Sequence, residues 1–300
     1  MRKSSIIGLF NIALIFILLG SYVIVAQSVI TGEWTAETKK EKSDKIHLSF
    51  ERKTERGGRN QHGLGFAYED LQGLSRDAAQ NGKVSFRLVR EAGTIECEGS
   101  FVNGRGSGTF RFTGNQSYVD AMRSRGFDFA KSAKHGSQDV DDRLFTAATL
   151  NLTTAFADDL KSADFGPLDV DDLFKAVIFK ITPQFMAEMK ATGFPNLNLE
   201  DLVKASIFKI DTEFVRKIRE MGFGTESFES LVKFSIFKVT PEFLNELKAA
   251  GFNDLSSEDV VKFRIFKIDA EFIRQAKAEE PNVTVEELVQ MKIGVRKRGN

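Results

Sequence analysis

Through the first third of the chain, apolar and polar residues alternate in short runs. Ile46, Leu48 and Phe50 alternate with polar neighbours in "KIHLSF", and Val84, Phe86 and Leu88 do so in "KVSFRLV". Ile95, Cys97 and Phe101 follow, then Phe110 and Phe112 in "GTFRF". A period of two is the pattern of strands with one buried face. The runs break at Glu91–Gly93 and at Asn103–Gly108 ("NGRGSG"), and Asn-Gly suits a tight hairpin turn. These signals predict a small antiparallel β-meander domain over residues 30–113, of about five or six strands. "GEWTAET" and "GFAYEDLQG" supply its less regular members, and Glu51–Gly63 reads as a charged, glycine-containing loop.

Over residues 114–295 the pattern becomes a repeat. "IFKITPQF" begins at Ile178, "IFKIDTEF" at Ile207, "IFKVTPEF" at Ile236 and "IFKIDAEF" at Ile265, 29 residues apart each time. Self-similarity of this length marks stacked supersecondary units. "FTGNQSYVDAMRSRGF", from Phe112, fits the first half of the phrase, so the repeats start directly off the last strand, with an insertion near residues 128–138.

Each unit parses into two helices. Asn115, Thr153, Thr182, Asp211, Thr240 and Asp269 fall in one column, and all are good helix N-caps. Pro183 and Pro241 follow at the first helical position, where the missing N–H costs nothing. The first helix is expected to bury Phe185/Met189, Phe214/Ile218 and Phe243/Leu247, and to end at Gly193, Gly222 or Gly251 in a left-handed cap. A second cap column runs through Asp169, Asn198, Ser227, Ser256 and Thr284, and that helix buries Leu202/Val203 and their equivalents. Helices of about ten residues are marginal alone, so docking between units must supply the stability. In this reading "IFK" is the joint, with Ile and with Phe179, Phe208, Phe237 and Phe266 filling the core between units. The predicted class is therefore α+β: a small antiparallel β-meander followed by a short α-solenoid of 29-residue helix pairs.

The N-terminus adds a location. "MRKSS" precedes an apolar run over residues 6–26 and then polar "QS". That layout fits a secretory signal cleaved after Ala26, and its length also suits an uncleaved membrane anchor. Both place the remainder outside the cytoplasm, periplasmic or extracellular. Residues 296–300 ("RKRGN") form a basic tail. The formal net charge is zero, which with the export signal argues against a nucleic-acid partner. Cys97 is the only cysteine, so there is no internal disulfide, and it reads as a small apolar strand residue.

Candidate chemistry is sparse. His47, His62 and His135 lack metal-ligand spacing, and "DVDD" at Asp139–Asp142 and Asp169–Asp172 reads as helix caps rather than a calcium loop. No G-x-S-x-G elbow and no P-loop lysine occurs. The expectation is no catalytic residue, no metal ligand and no cofactor. Trp34 and Tyr68 are the aromatic residues a sugar or lipid site would use, although Trp34 equally suits packing on the sheet. Two lysine columns repeat. Lys175, Lys204, Lys233 and Lys262 follow Asp171, Glu200, Glu229 and Glu258 by four residues, giving expected i,i+4 pairs. Lys180, Lys209, Lys238 and Lys267 have no such partner, and predict either a solvated edge or a ladder for an acidic protein or polymer.

The phrases "ITPQFMAEMKATGF" and "LNLEDLVKASIFKI", with "REAGTIECEGSF" and "GSGTFRF" before them, resemble the tandem repeats appended to membrane metallopeptidases of the β-lactam-sensor class, over roughly Phe112–Val295. "FKI" or "FKV" replaces the "HGV" of that pattern, and no H-E-x-x-H occurs, so none of the peptidase chemistry transfers. The resemblance implies an exported accessory or sensor-like module. The repeat is also similar to that of mitochondrial transcription termination factors. The sequence thus predicts an exported, non-catalytic scaffold that binds a protein or peptide through its helices. The alternative is sensing of a small ligand or envelope polymer by the β domain, with the repeats as spacer.

Overall fold

The computed structural model describes residues 29–38, 43–53, 59–131, 139–194, 196–223 and 227–295. The apolar run 6–26, most of the 128–138 insertion, His135 and the 296–300 tail lie outside them. The class is α+β: one antiparallel sheet, then twelve α-helices among the described residues.

The strands are β1 (Val29–Glu37), β2 (Lys45–Lys53), β3 (Arg59–Ala67), β4 (Leu71–Gln72), β5 (Gly82–Arg90), β6 (Gly93–Val102) and β7 (Arg105–Gly114). Their spatial order is β3-β2-β1-β7-β6-β5-β4, which corrects the expected single meander. The sheet consists of a short meander and a longer one, joined where β1 pairs along its length with β7, from Val29↔Thr113 to Glu37↔Arg105. Alternation reports which face is buried but not which strand lies alongside, so this pairing was invisible in the pattern. The expected loop at Glu51–Gly63 is corrected at both ends, its middle (54–58) lying outside the described residues. β2 continues to Lys53 and β3 resumes at Arg59, with Phe50 opposite His62. An edge strand pairs on one side only and tolerates the glycines and charges that made this stretch look irregular.

Every alternating apolar residue named above faces inward. Ile46, Leu48, Phe50, Val84, Phe86, Leu88, Ile95, Cys97, Phe101, Phe110 and Phe112 are all buried. Of "NGRGSG", only Asn103 and Gly104 form the turn, both with positive φ, and the remaining residues belong to β7. Gly108 is needed there for space: a Cβ on it would lie 1.9 Å from the Glu98 carbonyl oxygen.

The helices are α1 (Gln116–Ser124), α2 (Val140–Leu150), α3 (Thr154–Ser162), α4 (Val170–Ile178), α5 (Pro183–Ala191), α6 (Leu199–Ile207), α7 (Thr212–Glu220), α8 (Phe228–Ile236), α9 (Pro241–Ala249), α10 (Ser257–Ile265), α11 (Ala270–Glu279) and α12 (Val285–Lys292). Asn115, Thr153, Thr182, Asp211, Thr240 and Asp269 each accept a backbone N–H from the first turn of their helix. Asp169, Asn198 and Thr284 close full capping boxes, while Ser227 and Ser256 cap through their hydroxyls. Asp139 occupies the N-cap position of α2 without a side-chain cap bond.

α2 makes the main packing contact between sheet and helices. It packs on β6 and β7. Its Phe145 ring stacks on Phe110 at 5.3 Å and meets Phe50 and Phe112 edge-on at 5.8 and 5.3 Å. Arg52 on β2 pairs with Asp142 on α2, and the Glu91 carboxylate accepts the Thr154 N–H at 2.8 Å. A continuous apolar core therefore runs from Trp34 to Val289. Beyond α2, each even-numbered helix packs on the next even one, from α2 through α12.

The buried columns differ from expectation by a step. In the odd helices Met186, Val215, Leu244 and Ile273 lie deepest with Met189, Ile218 and Leu247, while Phe185 and Phe214 are only half-buried. At the joints Ile178, Ile207, Ile236 and Ile265 are 47–55% exposed, so the expectation that they fill the core is corrected. Phe179, Phe208, Phe237 and Phe266 are half-buried against the core, and the fully buried residue is the one after the lysine: Ile181, Ile210, Val239 or Ile268. The cause is the left-handed backbone turn at the lysine that ends each of α4, α6, α8 and α10.

Candidate interaction ridge

Each of α4, α6, α8 and α10 ends in the same way. Lys180, Lys209, Lys238 and Lys267 have φ of 53–55°, the left-handed region. The N–H after each lysine reaches back to a carbonyl five residues earlier: Ile181 to Ala176, Ile210 to Ala205, Val239 to Phe234 and Ile268 to Phe263, all at 2.8 Å. This is the Schellman motif, in which the residue following the left-handed one folds back as an apolar plug. It explains why burial skips from the expected Ile to the residue after Lys.

Glycine is the usual occupant of that left-handed position, and this chain uses it at five other helix ends, with Asn151 and Asp164 in its place after α2 and α3. Gly126, Gly193, Gly222, Gly251 and Gly294 hold the same place after α1, α5, α7, α9 and α12. A side chain there costs about 1–2 kcal/mol. Four lysines therefore sit where the fold alone favours glycine.

Three basic columns run along the helices, and they differ in what they touch. Lys175, Lys204 and Lys233 do not make the expected i,i+4 pairs. They reach the next even helix instead, to Glu200, to Glu229 at 2.8 Å and to Glu258 at 3.5 Å. Donating these hydrogen bonds to Glu200 and Glu229 raises the pKa of Lys175 and Lys204. The cause of the difference is packing: the even helices lie side by side, which brings the acid of one unit to the lysine of the previous unit. A second column, Lys161, Lys190, Arg219, Lys248 and Lys277, went unnoticed in the sequence although it too repeats at 29 residues. Lys248 donates to the Met221 carbonyl at 2.8 Å and Lys277 to that of Gly251 at 3.0 Å. Arg219 and Lys277 lie 4.5 and 4.3 Å from the ring centres of Phe194 and Phe252. Recurrence beside the helix-ending glycine and its Phe was the available signal.

The third column is Lys180, Lys209, Lys238 and Lys267. All four are exposed, and no ion pair engages them among the described residues. Nearby acids are otherwise occupied. Asp211 and Asp269 accept the N–H groups of Phe214 and Phe272 at 2.7 and 2.8 Å. Arg216 and then Lys217 hold the Glu213 carboxyl down to about 2. Glu242 is lowered first by its own backbone N–H, and Glu271 by Arg274.

The four joints are aligned by direct bonds. The Ser206 hydroxyl donates to the Phe179 carbonyl at 2.6 Å, Ser235 to that of Phe208 at 2.5 Å, and Arg264 Nε to that of Phe237 at 3.1 Å. Each bond ties the last turn of one helix to the residue just before the preceding lysine. The lysines thus form one row, flanked by the row of exposed Ile178, Ile207, Ile236 and Ile265 and by half-buried Phe179, Phe208, Phe237 and Phe266. One open groove of about 600 Å³ leads off this row between α7 and α9, with Lys209, Phe214 and Glu242 on its walls.

The sheet-borne candidates lie elsewhere. Trp34 is 1% exposed, packed against Phe86 and Phe101 at 5.2 and 5.6 Å, and its indole N–H donates to the Glu98 carbonyl at 3.2 Å. It belongs to the core, over the glycine pair Gly99 and Gly108. Tyr68 sits in a 3₁₀ turn with the Arg76 guanidinium 5.6 Å from its ring centre, and burial raises its pKa against the opposing effect of Arg76. His47 is exposed, with a ring nitrogen 3.4 Å from the Ser49 hydroxyl. Burial pushes the Cys97 thiol far up, and among the described residues no three His, Cys, Asp or Glu side chains gather as metal ligands.

No family model matches the chain, and no curated protein matches it in sequence.

Proposed function

We propose that the protein is an exported, non-catalytic scaffold whose helices form a short α-solenoid, and that its lysine row binds an acidic protein or peptide. The observation that carries this reading is the left-handed lysine, used four times where the same chain uses glycine at equivalent turns. Strain retained at a surface position is a reason to look for function there. Adjacent-unit packing and the bonds between successive joints support the solenoid. The similarity to repeats appended to membrane metallopeptidases supports an accessory role outside the cytoplasm. Sensing by the sheet has less support, because Trp34 lies in the core.

Replacing all four lysines with glycine tests the row, because fold and binding should then move in opposite directions. Relief of the left-handed strain, less the entropy lost by glycine, should stabilise by roughly 0.5–1 kcal/mol per site. Exposed ion pairs contribute about 0.2–1 kcal/mol each, so affinity for poly-L-glutamate at low salt should fall about tenfold. Added salt should weaken the wild-type interaction. A variant that binds poly-L-glutamate as well as the wild type leaves the row a solvated edge.

The export component rests on the basic start and the apolar run over residues 6–26. Mass spectrometry of the native protein should find a new terminus near Gln27, or an intact chain in the membrane fraction. Recovery of a soluble cytoplasmic chain beginning at Met1 would overturn it.

A further inference from the structure

The spacing of the row restricts what can lie along it. Packed helices are about 8–10 Å apart, so the four lysines, one per even helix, span roughly 24–30 Å. A bound chain must present its acids at the same interval and on one side. In a β-strand, same-side residues recur about every 6.8 Å, so successive acids fall out of step with the rungs. An α-helix repeats a face every seven residues, about 10.5 Å, and overshoots the row by the fourth rung. A polyproline II helix has three residues per turn and rises 3.1 Å per residue. Every third residue then lies on one side, about 9.3 Å apart, inside the allowed interval at every rung.

The surface beside the lysines suits the same conformation. Ile178, Ile207, Ile236 and Ile265 offer exposed apolar side chains, and the half-buried Phe179, Phe208, Phe237 and Phe266 lie next to them. Polyproline segments are recognised by apolar and aromatic surfaces that take the proline rings between the specifying residues. Each rung here pairs one cation with one apolar patch, which matches one acid and the prolines between it and the next.

We infer that the ridge binds an acidic, proline-rich segment in the polyproline II conformation, with an acidic residue at every third position. Lys180, Lys209, Lys238 and Lys267 receive the carboxylates, and the neighbouring isoleucines receive the prolines. The inference rests on the lysine row being a binding surface, and the test separates the two.

Three fluorescent peptides serve as probes: (Glu-Pro-Pro)6, a block peptide of six Glu followed by twelve Pro, and an acidic α-helical peptide with Glu at every seventh position. Anisotropy at low salt should show (Glu-Pro-Pro)6 binding at least tenfold more tightly than either of the others. Ile207→Ser with Ile236→Ser should weaken that binding several-fold while leaving the melting temperature unchanged, since both side chains are exposed. The fourfold Lys→Gly variant should lose the preference. If all three peptides bind equally and depend on the lysines, the row is a binding surface but the spacing inference is overturned. If none binds, or none depends on the lysines, the underlying reading fails as well.

Discussion

Phe145→Ala should destabilise the protein by about 3–5 kcal/mol. Phe145 is the single aromatic side chain of α2 and touches Phe50 on β2 and both Phe110 and Phe112 on β7. Removing its ring therefore opens a cavity bordered by strands on one side and a helix on the other. Strands cannot shift inward without breaking register, so the gap should not collapse, which places the effect in the upper part of the usual range. The ring contacts add about 0.5–1.5 kcal/mol beyond burial. Urea unfolding of wild type and variant measures this directly. A loss below about 1 kcal/mol would show that sheet and helices are held together by other means.

Ile210→Ala should cost about 2–5 kcal/mol, whereas Ile207→Ala, three residues earlier, should change stability by less than about 0.5 kcal/mol. Both are isoleucines of the same repeated phrase. Ile210 follows the left-handed Lys209 and is buried, while Ile207 precedes it and is 49% exposed. Hydropathy alone predicts equal effects. The Schellman turn predicts unequal ones, because its backbone bonds from Ile210 to Ala205 direct one side chain into the core and leave the other outside. Equal losses for the two variants would refute the assigned geometry of the joint.

These joints show how far the sequence could be read. N-caps were legible because capping needs particular side chains at one backbone position, and Thr182, Asp211 and Asn198 all cap as expected. Inward-facing strand residues were legible because a period of two leaves no choice of face. The inside of the joint was not legible. Lys180 and its equivalents carry no signature of left-handed backbone, since Lys is an unusual residue for it, so the turn that exchanges the exposure of Ile178 and Ile181 stayed hidden. Partners across units were hidden for another reason. Glu200 lies four residues before Lys204, yet its carboxylate is used by Lys175, and only lateral packing of α4 and α6 decides that. The β1–β7 pairing was likewise beyond a pattern that ranks residues by face. The lysine row itself was visible as a column; that no ion pair engages it among the described residues became evident only when the neighbouring acids were located.

The bonds that tie one joint to the next have a consequence for inheritance. Ser206 reaches back 27 residues to Phe179 and Ser235 reaches back the same distance to Phe208, while Lys204 reaches forward 25 residues to Glu229. None of these bonds skips a unit. Excision of residues 207–235 would leave the Ser206–Phe179 bond intact and bring Glu258 into the place Glu229 held beside Lys204. A duplication would supply each new donor with a matching acceptor. Genes encoding such a chain can therefore lengthen or shorten it in steps of 29 codons without orphaning a polar group, and each step adds or removes one rung, so the reach of the ridge is a trait on which selection can act in whole increments.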